Sequence, residues 1–160
     1  MNILKIQQDI LKSLIKGNAL YKFTVDDANV GIVCDNVIAY IIPREKFLIG
    51  VEHLTDEFNE KIAKILYSEK CNSYEQATLA PQLLIQSSAY CPNEIIQKIS
   101  GTTKFTWARL RYIKQFSPYS TFAINGPKDS IQVFENGIYA GLIMPVMTEY
   151  INDEQEPYHV

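Results

Sequence analysis

Sliding the segment from Ile3 to Val25 forward by ninety-nine residues lays it on Thr102 to Ile124, and this self-similarity constrains the fold more than any other feature. Lys5 falls on Lys104, Ile6 on Phe105, Leu11 on Leu110, Lys12 on Arg111, Leu14 on Ile113, Phe23 on Phe122 and Val25 on Ile124. After two extra residues in the second copy, Val30, Ile32, Asp35 and Asn36 lie opposite Ile131, Val133, Asn136 and Gly137. The stretch Ala39-Tyr40-Ile41-Ile42-Pro43 then lies opposite Gly141-Leu142-Ile143-Met144-Pro145. Each copy is expected to be a helix followed by three strands, a unit that buries its apolar face against the other copy. The competing explanation is chance likeness between two amphipathic helices and two hairpins.

The strands follow from residue alternation. Tyr21, Phe23 and Val25 alternate with Lys22 and Thr24, Asp26-Asp27 marks a turn, and Val30 to Val33 leads through Asp35-Asn36 into Val37 to Ile42. The second copy repeats this antiparallel meander as Thr121 to Ile124, Ser130 to Phe134 and Ile138 to Met144, with Asn136-Gly137 as a two-residue hairpin turn. Between the copies, the pattern predicts strands at Phe47 to Val51 and Leu83 to Ile85. It also predicts a helix from a Thr55-Asp56 cap to Tyr67, a loop over Ser68 to Tyr74, a short helix from Pro92 to Lys98 and a break at Ser100-Gly101. No linker separates two domains, so residues 1–147 are expected to form one domain with repeats at about 3–43 and 102–145, and 148–160 an acidic tail.

No apolar run approaches the roughly 20 residues of a membrane helix, and Lys5 and Asp9 interrupt any signal-peptide pattern. A cytoplasmic protein with no membrane partner is expected. Cys34, Cys71 and Cys91 are odd in number, widely spaced and form no C-x-x-C pair, which argues against a disulfide framework and a structural zinc site. No metal and no cofactor are expected.

The formal net charge of −3 hides an uneven distribution. From Ile95 to Lys128 there is no acidic residue, whereas Lys98, Lys104, Arg109, Arg111, Lys114 and Lys128 are basic; the rest of the chain carries nine basic and eighteen acidic residues. A basic face on an acidic protein attracts a polyanion locally. In the first helix, Ile3, Leu4, Ile6, Ile10, Leu11, Leu14 and Ile15 gather into one broad stripe expected to face the core, leaving Lys5, Lys12 and Lys16 on the opposite face. In the second expected helix Lys104, Arg111 and Lys114 share a narrow arc beside Trp107, while Arg109 snorkels from nearer the apolar side. Two basic stripes in register suggest phosphate contacts that are salt-sensitive and indifferent to base sequence. The alternative is a helix face charged only for solubility.

Catalytic signatures are lacking: there is no glycine-rich phosphate loop, G-x-S-x-G or H-E-x-x-H, and the two histidines are His53 and His159. Cys34 or Cys91 paired with His53 is the remaining enzymatic arrangement, and Asp26-Asp27 and Asp56-Glu57 are better explained as turn and helix-start residues than as catalytic carboxylates. Trp107 is expected as a core or partner anchor, since a single aromatic is not a base-stacking platform.

A helix followed by strands, used twice, resembles the building block of DNA sliding clamps. The ending Gly141-Leu142-Ile143-Met144-Pro145-Val146 is similar to the close of the bacterial DNA polymerase III beta subunit, and Asp129-Ser130-Ile131-Gln132-Val133 to the strand before it there. The resemblance implies an α+β, DNA-clamp-like domain of two helix-plus-three-strand pseudo-repeats, with antiparallel sheets packed on helices that face duplex DNA. Carried over position by position, it sets Lys5, Lys12, Lys16, Lys104, Arg111 and Lys114 towards phosphate. Clamp subunits have three such domains where this chain has room for one, so encircling DNA would take several copies. The function expected is a non-enzymatic accessory protein that contacts duplex DNA, in replication of a phage or mobile element, with a protein partner and a homo-oligomer as further assemblies. The alternative is a clamp-fold protein-binding or inhibitory module without DNA affinity, and a cysteine-dependent enzyme stands third.

Overall fold

The computed structural model describes residues 1–18, 20–50, 54, 73–86 and 93–147. In chain order these form α1 (Ile3–Lys16), β1 (Leu20–Thr24), β2 (Asn29–Cys34), β3 (Ile38–Pro43), a 3-10 turn (Arg44–Lys46), β4 (Glu75–Gln86), β5 (Glu94–Ser100), β6 (Phe105–Arg109), α2 (Leu110–Ile113), β7 (Thr121–Ile124), β8 (Ile131–Glu135) and β9 (Ile138–Ile143). The nine strands make one sheet, ordered β1-β2-β3-β9-β8-β7-β4-β5-β6, and all the pairings are antiparallel.

This architecture corrects the expected α+β fold of two helix-plus-three-strand repeats. Among the described residues the fold is mainly β, with a single helix longer than one turn. The second expected helix fails at Phe105-Thr106-Trp107-Ala108-Arg109, whose aromatic and β-branched residues suit a strand. These five residues pair with β5 from Ile96↔Arg109 to Ser100↔Phe105. Only Leu110–Ile113 turns helical, and it starts from Arg109, whose side chain makes no capping hydrogen bond. Two further corrections fall between the meanders. Most of the short helix expected from Pro92 to Lys98 is strand β5, and Phe47 to Gly50 is not a strand. The strand expected at Leu83 to Ile85 is part of the longer β4. The helix expected over residues 55–67, most of the loop over 68–74, and the tail from 148 lie outside the described residues.

The two meanders follow their sequence. Asp35 and Asn36 take φ of +54° and +56°, and Asn136 and Gly137 take +52° and +76°. Positive φ at both central residues gives turns whose twist matches the flanking strands. The meanders join at β3 and β9, through Ile38↔Ile143, Ala39↔Leu142 and Tyr40↔Gly141. Gly141 sits at φ +156°, where a Cβ would lie 2.1 Å from the Ala39 carbonyl oxygen. Glycine is what lets the two strands approach here.

Alternation along the strands sorts side chains between two faces. Ile32, Ile38, Ile42, Phe122, Ile124, Ile131, Val133 and Ile143 enter the main core with Ile6 and Ile10 of α1. On the other face Phe23, Val33, Ala39 and Leu142 form one small cluster, and Leu84, Ile96, Trp107 and Val146 another. Phe23 lies over its cross-strand partner Gly31, filling the space a side chain there would need.

Helix α1 starts where Asn2 Oδ1 accepts from Lys5 N at 3.2 Å and ends at Gly17 in the left-handed conformation, φ +70°. Its apolar stripe does not all face the core. Ile6 and Ile10 are fully buried, but Leu4, Leu11 and Ile15 are 68%, 47% and 86% exposed. Gln7 takes a buried place beside them: its Nε2 donates to Lys46 O at 3.0 Å and its Oε1 accepts from Leu48 N at 2.6 Å. These two bonds tie the helix to the chain leaving β3.

Candidate polyanion-binding surface

Lys5, Lys12 and Lys16 are exposed on the outer face of α1. Lys12 Nζ stands 3.6 Å from Asp9 Oδ1, a solvent-exposed pair of small energetic weight. Lys5 and Lys16 make no ion pair among the described residues. Lys16 also lies in the last helical turn, where the unpaired carbonyls favour a cation.

Asp9 has a second partner. Gln115 Nε2 donates to Asp9 Oδ2 at 2.7 Å, and Asn2 N donates to Gln115 O at 2.8 Å. These bonds dock α1 against the segment leaving α2, so that Lys114, exposed at the end of α2, adjoins the residue that holds Asp9. Four of the six cations expected at phosphate, Lys5, Lys12, Lys16 and Lys114, are therefore exposed on α1 and on the segment docked against it. Lys114 likewise makes no ion pair among the described residues.

The other two are engaged internally. Lys104 precedes β6, where its Nζ donates to Ser73 O at 2.7 Å and to Asn125 Oδ1 at 3.0 Å, while its backbone N–H donates to Glu75 Oε1 at 2.7 Å. Arg111 Nε lies 2.7 Å from Glu94 Oε1, and its guanidinium stands over the Tyr112 ring at 4.7 Å. Arg109 is 2.8 Å from the other oxygen of Glu94 rather than snorkelling from a helix. The acid-free run in the sequence is thus not acid-free in space, because β4 and β5 bring Glu75 and Glu94 against it. Trp107 is buried on β6 against Leu84, Ile96 and Val146, with Lys98 Nζ 5.9 Å from its ring and 4.3 Å from that of Phe105.

The chemistry required of a cysteine enzyme is missing at Cys34. Burial, followed by the charges of Asp35 and Asp9, pushes its thiol up to about 12, leaving it protonated and unreactive at neutral pH. Cys71, Cys91, His53, His159, Asp56 and Glu57 lie outside the described residues. Asp26 Oδ1 accepts from Ala28 N and Asn29 N, both at 2.7 Å, and Asn29 Nδ2 reaches both carboxylate oxygens. The hydrogen bond from the Asn29 side chain, reinforced by those from the backbone, holds this carboxyl below its usual range. Asp26 organises a turn. No group of three or more His, Cys, Asp or Glu among the described residues is placed to hold a metal ion. No described helix is long and apolar enough to cross a membrane.

No family model, curated protein or solved structure matches the chain.

Proposed function

We propose that this chain is a non-enzymatic, cytoplasmic binding module that contacts duplex DNA through its phosphates, using Lys5, Lys12, Lys16 and Lys114. The carrying observation is the docking of α1 on the segment after α2 by Asp9 and Gln115, which brings the exposed lysines of α1 and Lys114 onto adjoining segments. Such cations neutralise phosphate without reading bases, so binding is indifferent to sequence and weakened by salt. Lys104 and Arg111 are set aside from this surface because their charges already serve contacts within the fold.

The test is fluorescence anisotropy of a labelled 20-base-pair duplex at low salt, comparing the parent chain with Lys12→Glu/Lys16→Glu. Loss of binding in the double variant, with unchanged thermal unfolding, supports the assignment; equal binding by both proteins refutes it.

A second function is favoured by one specific observation. Leu4, Leu11 and Ile15 form an exposed apolar stripe alongside the lysines, which phosphate contact leaves uncovered. A protein partner would bury it, in line with a protein-binding module without DNA affinity. Parent protein that ignores DNA yet loses a co-purifying partner on Leu11→Glu would select that function. Light scattering of the same samples reports whether copies of the chain associate.

A further inference from the structure

The ladder joining the two meanders stops short. β3 and β9 pair only as far as Tyr40↔Gly141, and residues 41–43 and 138–140 have no ladder partner across this seam. Between them opens a cleft of about 850 Å³, within the range of ordinary binding pockets. Ile41, Pro43 and Ala140 line it with Ile138, which is 72% exposed. The β8–β9 pairing is irregular between Val133 and Phe134, so β9 carries an extra residue just where it leaves β3.

The cleft exposes a strand edge. Met144 N donates to Val37 O across the seam at 2.8 Å, and alternate residues of a strand present their amides to the same edge. Ile41 therefore directs its N–H and C=O towards the place β9 has vacated. Unused ladder groups beside apolar side chains are what an extended peptide requires.

The charges add a preference. Asp26 spends its carboxylate on Ala28 and Asn29, while Glu135 holds the Met1 amine at 2.5 Å and Ser117 N at 2.6 Å. Lys46, which lines the same cleft, makes no ion pair among the described residues. Glu135 is balanced by the Met1 amine and the Asp26 oxygens are occupied by amides, so the charged group left open to a ligand is Lys46.

We propose that the cleft between β3 and β9 is a strand-addition site for an extended segment of a partner protein, with apolar residues at alternate positions and an acidic residue towards Lys46. None of the lysines assigned to DNA takes part, so the two sites stand or fall separately.

The test pans a phage-displayed random decapeptide library on the full chain and measures synthesised winners by anisotropy. The expected peptides alternate apolar residues with at least one acid. Their binding weakens about tenfold or more on Ile138→Lys, and also when amides along one edge of the peptide are N-methylated. Ile41→Pro, which removes the N–H that β3 directs at the cleft, is the second variant, and unchanged thermal unfolding of Ile138→Lys keeps the comparison valid. Lys46→Glu should select against the acidic residue. The proposal is overturned if no peptide depends on Ile138 or Ile41, or if affinity is unchanged by N-methylation along the one edge and along the other alike, which would make the cleft a plain apolar pocket.

Discussion

Gln115 donates from Nε2 to Asp9 Oδ2 at 2.7 Å, joining residues separated by 106 positions. Through this bond the helix that opens the chain is held against the segment that follows the single turn of α2. Asp9 also stands 3.6 Å from Lys12, so one carboxylate links the joint to the basic stripe.

Removing the joint should loosen both. Gln115 is buried, and a hydrogen bond to a charged acceptor contributes about 1.5–3 kcal/mol. Gln115→Ala is expected to lower unfolding free energy by about that amount in urea titration and to weaken duplex binding. An Asp9→Ala change in the same background should add little, because the two residues share one interaction.

Gly141 and Gly17 give a paired prediction. Both have positive φ, but a Cβ at Gly141 would meet the Ala39 carbonyl oxygen at 2.1 Å, whereas at Gly17 it meets nothing within 4 Å. Gly17→Ala should cost about 1 kcal/mol, the ordinary cost of a left-handed alanine. Gly141→Ala should cost at least about 3 kcal/mol, because backbone on β3 must also move. Thermal unfolding of the two variants would show whether the β3–β9 seam is as tight as the geometry requires.

Cys34 makes the fold sensitive to alkali. Its thiol is raised from an ordinary value of 9.0 to about 12, so the native state holds the proton more tightly than the unfolded chain. The associated stability is fully present below pH 9 and is lost as pH rises from 9 towards 12. Burial raises the Tyr40 hydroxyl in the same direction at still higher pH. In a Cys71→Ser/Cys91→Ser background, an aromatic disulfide reagent should react with Cys34 at pH 7.5 only after unfolding. Rapid reaction of the native protein would contradict the buried thiol.

Asp26 predicts the opposite end of the scale. Its carboxyl is held below the ordinary 3.8, first by the Asn29 side chain and then by the amides of Ala28 and Asn29. The contribution of this turn is present above pH 3.8 and lost as pH falls through the lower native value. NMR titration of the Asp26 carboxyl should show it below 3.8 in the parent and moved upward by Asn29→Ala.

The six meander strands were legible because alternation and the turn pairs Asp35-Asn36 and Asn136-Gly137 are local signals. The second helix is not legible from the repeat, because residues 104–113 share the spacing of the first helix while Phe105, Thr106 and Trp107 prefer a strand. Their β state is completed by pairing with β5, which no local window contains. The same non-locality hid the engagement of Arg109 and Arg111 by Glu94 and of Lys104 by Ser73 and Asn125. Gln7 was unreadable as a buried residue, since its two partners at Lys46 and Leu48 come from the far end of β3. The lysines of α1 were legible because helical periodicity alone sets them on the outer face.

Phosphate contact by these lysines is read from the salt dependence of duplex binding. Four cations at phosphate give a slope of log K against log salt of about −3 to −4, and replacing any one of Lys5, Lys12, Lys16 or Lys114 by alanine should reduce that slope by about 1. Lys104→Ala and Arg111→Ala should leave it unchanged while lowering thermal stability. A duplex that does not bind, or a slope indifferent to the four lysines, would rule out phosphate contact by this surface.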